Sequence, residues 1–180
     1  MPTVHVWDPW IRFTHWSLAT LIVIDLLNEA GANPWHRYFG YAAGALVVAR
    51  FGWGIIGPAR ARLRAMARAA ADIGPYVASM REGRTRMYVG HTPFGAWMAW
   101  LFWSLILIVV ITGWMLRLDA FWGDERVETV HAYAAYILGG AAVVHVSAAI
   151  ATSALHRTNL VKAMITGRKA VTPDAVDVGR

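Results

Sequence analysis

Between Phe94 and Leu116, and again between Thr129 and Leu155, the sequence contains no Asp, Glu, Lys or Arg. A helix needs ~20 mostly apolar residues to cross the hydrocarbon of a bilayer, and both stretches are long enough. Two more come close. Tyr38 to Gly57 is interrupted only by Arg50, and Pro9 to Leu27 holds Arg12 at one edge and Asp25 near the other. The expected spans are 9–29, 36–57, 93–116 and 128–155. With 57% hydrophobic residues and a mean hydropathy of +0.41, the 180-residue chain is too apolar for an ordinary soluble domain. The expected fold is all-α: one integral membrane domain over 1–180, built as a four-helix bundle.

Charge orients the bundle. The link 58–92 carries Arg60, Arg62, Arg64, Arg68, Arg81, Arg84 and Arg86 against Asp72 and Glu82, and Arg157, Lys162, Arg168 and Lys169 follow the fourth span. The connection between spans three and four is the more acidic one, with Asp119, Asp124, Glu125 and Glu128 against Arg117 and Arg126. The positive-inside rule puts both termini and the basic link in the cytoplasm. The net charge of +6 then describes one face of a membrane protein, and nucleic-acid binding is excluded as its explanation. No cleavable leader is expected, because Asp8, Pro9 and Arg12 replace a basic stretch with a short apolar core. Asn33 before Pro34 and Thr92 before Pro93 read as helix starts. Residues 60–80 suit an amphipathic helix on the membrane surface, and 170–180 a loose tail.

The histidines sort by depth. His131 and His145 lie fourteen residues apart in span four. A helix rises ~21 Å over that interval and ends about 40° from its starting direction, so both share one face near opposite sides of the bilayer. Spans one and two place His15 in the inner half and His36 in the outer half. The inner couple is therefore His15 with His145, and the outer couple His36 with His131. Singly, each imidazole has an ordinary use as an interfacial residue or an interhelical hydrogen bonder. Jointly, two couples at two depths are what two six-coordinate haem irons need, with two axial nitrogens each from facing helices.

With no cysteine in the chain, disulfides, iron–sulfur clusters and thioether-linked haem are excluded. Zinc would want more protein ligands, and no carboxylate is expected at matching depth. Asp25 reads as a solvated helix end, or else as a group that handles protons or cations. Gly40, Gly44, Gly139 and Gly140 leave room for a macrocycle or for close helix packing. Arg50 and Arg12 are candidate partners for a haem propionate, or snorkel to headgroups. Trp97, Trp100 and Trp103 are expected to pack against lipid, with a cofactor as the alternative, and most other tryptophans to anchor the interfaces.

Four segments, "VWDPWIRFTHW", "WHRYFGY", "GHTPFGAWMAW" and "HRTNLVKAMITGRK", resemble the bacterial cytochrome b561 family in order and spacing. More narrowly, they resemble the branch similar to the b-type cytochrome subunits of membrane nickel–iron hydrogenases, and the resemblance covers all but about the last ten residues. It implies a dihaem four-helix membrane bundle with His15, His36, His131 and His145 as axial ligands. It also implies a quinone site; on the cytoplasmic side His91, Tyr88 and His156 are the candidates.

The expected function is electron transfer through two b haems in the bacterial inner membrane. The relay would join the quinone pool to a periplasmic redox partner such as a cytochrome c or an oxidoreductase subunit. The rivals are superoxide oxidation with electrons passed to quinone, which would make the protein an enzyme, and a membrane anchor for a hydrogenase-like oxidoreductase. A histidine-using transporter would lack a chromophore and use a path past Asp25.

Overall fold

A computed structural model describes residues 2–28, 34–84, 86–155 and 157–177. Its elements, in order, are β1 (Thr3–His5), α1 (Pro9–Leu27), α2 (Pro34–Ile56), α3 (Leu63–Ala71), α4 (Ile73–Arg81), α5 (Pro93–Met115), α6 (Glu125–Leu155), α7 (Leu160–Thr166) and β2 (Arg168–Ala170). Among them α1, α2, α5 and α6 are long and apolar enough to cross a membrane. Protein covers only 17–28% of their most apolar windows, which leaves Val23, Val48, Ile111, Val143 and Ile150 exposed. Such bare apolar helix surface is what lipid covers. The protein is thus an all-α membrane protein, as its uncharged stretches require.

The starts of the long helices follow capping chemistry. The Ile11 amide donates to Asp8 Oδ1 at 3.0 Å, the Gly95 amide to Thr92 Oγ1 at 3.1 Å, and the Arg126 amide to Asp124 Oδ1 at 2.9 Å. Each oxygen satisfies an amide that the helix leaves unpaired. Asn33 lies outside the described residues.

The chain divides into two compact units. One comprises Met1–Phe13, Arg50–Ala99 and His145–Arg180. In it β1 and β2 pair antiparallel, with Thr3 opposite Ala170 and His5 opposite Arg168, so the two ends of the described chain lie on the same side of any membrane. Val6, Trp7, Ile11, Ala61, Val89 and Val171 form the core beside this sheet. The amphipathic segment expected over 60–80 is two helices, α3 and α4, separated at Asp72. Ala65, Met66, Ala69 and Ala70 make the buried stripe of α3, while Arg64 and Arg68 stay exposed. Ala69 and Ala70 pack against Ala96 of α5, close enough for the Trp97 indole to donate to the Ala70 carbonyl at 3.1 Å.

The tail expected to be loose is tied down through residue 177. The Val89 amide donates to the Val176 carbonyl at 2.9 Å, and the Val176 amide to the Met87 carbonyl at 2.8 Å. Arg60 pairs with Asp177 at 2.7 Å. Lys169, buried, donates through Nζ to the Tyr88 carbonyl at 2.6 Å. The polar residues that looked solvated in sequence find partners 81 to 117 positions away, which no local signal reveals.

The second unit comprises Thr14–Ala49 and Trp100–Val144, and holds parts of all four long helices. Its packing uses glycine where backbones approach: a Cβ on Gly44 would come within 3.0 Å of Val110, so this glycine serves close packing of α2 on α5. Trp103 is buried edge-to-face against Trp100, a correction to its expected place against lipid.

Tyr88 is fully buried and its hydroxyl donates to the Asp72 carboxylate at the break between α3 and α4. Burial first and the Asp72 bond second hold the phenol well above its ordinary range, so it stays a donor. Tyr88→Phe would leave a carboxylate without this partner and is expected to cost about 1–3 kcal/mol, read as a lowered midpoint in thermal unfolding of the detergent-solubilised protein. Burial lowers the Lys169 ammonium from 10.5 to about 8. Between those values the unfolded chain binds more protons than the folded one, so stability is lowest below about pH 8 and rises toward pH 10.5. Lys169→Met is expected to flatten that rise in unfolding midpoints measured across the same window.

Candidate functional site

In the second unit, each of the four long helices contributes one polar side chain to a single cluster. α2 supplies His36 and α6 supplies His131, with ring centroids 6.1 Å apart and planes at 76°. α1 supplies Asp25, whose Oδ1 lies 2.8 Å from His36 Nδ1. α5 supplies Thr112, whose Oγ1 lies 3.0 Å from His131 Nδ1. All four are partly or wholly shielded from solvent. Beside Thr112, a Cβ on Gly113 would come within 3.1 Å of the His131 ring, so this glycine makes room for the imidazole.

Hydrogen-bond accounting assigns the His131 tautomer. The Thr112 hydroxyl has one proton and contacts two backbone carbonyls, Ile108 at 2.7 Å and Val109 at 3.1 Å, to which it can only donate. With its proton assigned to the shorter contact, the Ile108 carbonyl, the hydroxyl accepts from His131, which assigns the imidazole proton to Nδ1 and the lone pair to Nε2. At His36 the Nδ1 and Asp25 Oδ1 are at contact distance but out of line for a straight hydrogen bond, and neither has another hydrogen-bond partner. A proton on His36 Nδ1 again leaves Nε2 with the lone pair.

This arrangement fits a metal-centred macrocycle. Metal-bound imidazoles characteristically give their other nitrogen to a carboxylate, carbonyl or similar acceptor. Two imidazoles that share a first-row metal at about 2 Å each have ring centres roughly 6 Å apart, which the observed 6.1 Å matches. Among the described residues no group of three or more His, Cys, Asp or Glu is placed to hold a metal ion by itself. The residues present therefore suit an ion whose remaining ligands come with it, as in haem.

The expectation that no carboxylate reaches the depth of a histidine couple is overturned by Asp25, which faces His36 rather than solvent. The signal was available in principle, since Asp25 sits near the end of span one that adjoins the start of span two. Thr112 and Gly113 carried no signal, because their relevance depends on the rotation of α5.

The other expected residues fall elsewhere. His15 is half-buried on α1, edge-on to Trp16 with centroids 5.2 Å apart, and belongs to the same unit as His36. His145 is half-buried on α6 and belongs to the other unit. Arg50 is buried, and its guanidinium donates to the Ala61 carbonyl at 3.0 Å; Arg12 donates to the Ile165 carbonyl at 2.6 Å. His91 packs edge-on against Trp7, and the cavity it lines with Arg60, Met66 and Asp177 measures about 10 Å³. That is room for at most a water, so no ring-sized ligand fits there in this conformation. Tyr88 is spent on Asp72, and His156 lies outside the described residues.

Comparison with curated proteins yields no match. The family model described as prokaryotic cytochrome b561 matches residues 6–167, a range that contains every residue of the cluster and both other histidines of the expected couples. With a family match that spans residues 6–167, the chain belongs to the prokaryotic cytochrome b561 family.

Proposed function

We propose that this transmembrane b-type cytochrome carries two bis-histidine haems, one on His36 and His131 and one on His15 and His145, and relays electrons between the quinone pool and a redox partner across the membrane. The observation that carries the reading is the His36–His131 pair, 6.1 Å between centroids. A haem bound there supplies one-electron chemistry through its iron.

The protein's own groups do the rest. His36 and His131 would hold the haem iron with one imidazole each, leaving no place on it for small molecules and suiting the centre to electron transfer. The Thr112 hydroxyl fixes the His131 tautomer, and Gly113 leaves space for its ring. The surrounding apolar helices exclude water and so favour the less charged state of the centre. His131 and His145 both fall within α6, Glu125–Leu155, an interval that an ideal helix covers in ~21 Å of rise. Arg50 and Arg12 are the proposed cations for the propionates of the inner haem.

Charge supports the orientation, with the histidine pair of α2 and α6 toward the periplasm and the arginine-rich link toward the cytoplasm. In that frame the membrane is the bacterial inner membrane. The quinone would be served from the link side, where His91, Tyr88 and His156 were the expected candidates. With Tyr88 bonded to Asp72 and little space beside His91, a quinone would require that region to open.

The deciding measurement is a reduced-minus-oxidised visible spectrum of the purified protein with haem quantified per chain. About two b haems are expected in the wild type, with His131→Ala and His145→Ala each losing one. A colourless protein, or loss of both haems from either variant alone, contradicts the two-station reading.

A further inference from the structure

Of the two imidazoles in the cluster, one is backed by a neutral hydroxyl and the other by a carboxylate. This asymmetry rests on position. Asp25 lies in α1, seven residues past the middle of that helix, and its side chain is largely shielded at 17% exposure. A carboxylate is kept out of water only where something repays its lost hydration. Its contact among the described residues is His36 Nδ1 at 2.8 Å, with no aligned hydrogen bond from any other group to Oδ1.

We infer that Asp25 is a positioning residue for the haem held by His36 and His131, orienting the His36 ring through Nδ1 and lowering the potential of that haem relative to the other. The inference rests on the cytochrome reading above. Two physical effects combine. An acceptor on Nδ1 fixes the ring so that Nε2 presents its lone pair to the iron, and a negative acceptor makes that lone pair more basic. Reduction adds one electron to the ferric iron and removes one unit of positive charge. A nearby negative charge favours the ferric side of that balance, so it lowers the potential.

Thr112 provides the internal comparison. It orients His131 as Asp25 orients His36, but a hydroxyl carries no charge. Loss of orientation and loss of charge can thus be separated within one site. Asp25→Asn keeps an acceptor oxygen and the side-chain volume while removing the charge, and Asp25→Glu keeps the charge.

The experiment is a spectroelectrochemical titration of full-length protein in detergent, comparing wild type, Asp25→Asn and Asp25→Glu, with haem content measured on each sample. The expected result is two haems in Asp25→Asn, one of which shows an oxidised-to-reduced ratio at fixed ambient potential about tenfold lower, a rise of about 59 mV for a one-electron couple. The other haem is unchanged, and Asp25→Glu returns the shifted haem most of the way. Unshifted potentials in Asp25→Asn overturn the inference, as do equal shifts of both haems. Loss of haem from both Asp25→Asn and Asp25→Glu also overturns it, because the residue would then serve packing. A wild type without two haems overturns the cytochrome reading itself, and is told apart from these outcomes by the haem content.

Discussion

Backbone polarity in an apolar solvent is the constraint on which everything else in this protein depends. A bilayer offers no partner for an amide or carbonyl, so each crossing segment must close its hydrogen bonds within itself, and only helices do so one segment at a time. Once α1, α2, α5 and α6 are helices, the same rule passes to their side chains. Every polar group at depth needs a partner on a neighbouring helix, and the cluster of Asp25, His36, Thr112 and His131 shows how that is met with one residue from each helix. The candidate site and the specification of helix–helix register are here the same set of contacts.

Outside the spans a different economy holds. The unit containing β1, β2, α3 and α4 is knitted by ordinary protein interactions: a two-stranded sheet, an alanine seam, a buried phenol and a buried ammonium. Its charged residues are abundant, but the ones that shape it are few. Asp72 is spent on Tyr88, Arg60 on Asp177 and Lys169 on a carbonyl, while Arg64, Arg68 and Arg81 remain exposed. Topology explains the abundance of arginine; specific pairing explains the fold.

What could be read from the sequence was whatever the helix repeat fixes. Rise per residue is constant, so depth follows from position, and depth alone put His36 with His131. Span ends were legible because proline and capping residues mark them, as Thr92 does. Rotation about each helix axis was not legible, since four apolar helices with no polar face carry no sign of which side turns inward; this hid Thr112, Gly113 and the burial of Trp103. Long-range pairing was equally hidden. Lys169 and Asp177 looked like a solvated tail because their partners lie in a link that, read alone, is only basic. Asp25 was misjudged because it was compared with the ends of helices, whereas the relevant comparison was with the depth of His36.

The antiparallel match of β1 and β2 joins residues about 160 positions apart in the chain. Thr3–His5 precedes the four long helices in the chain and Arg168–Ala170 follows them, so the two can pair only once everything between them has been made. Closure of this ribbon is therefore available only to a chain whose crossings number an even count and have all been delivered. A molecule that skipped or inverted one span would leave its two edges on opposite sides of the membrane, each an open strand. The shortest strands in the protein are thus the ones whose pairing depends on all of the chain between them.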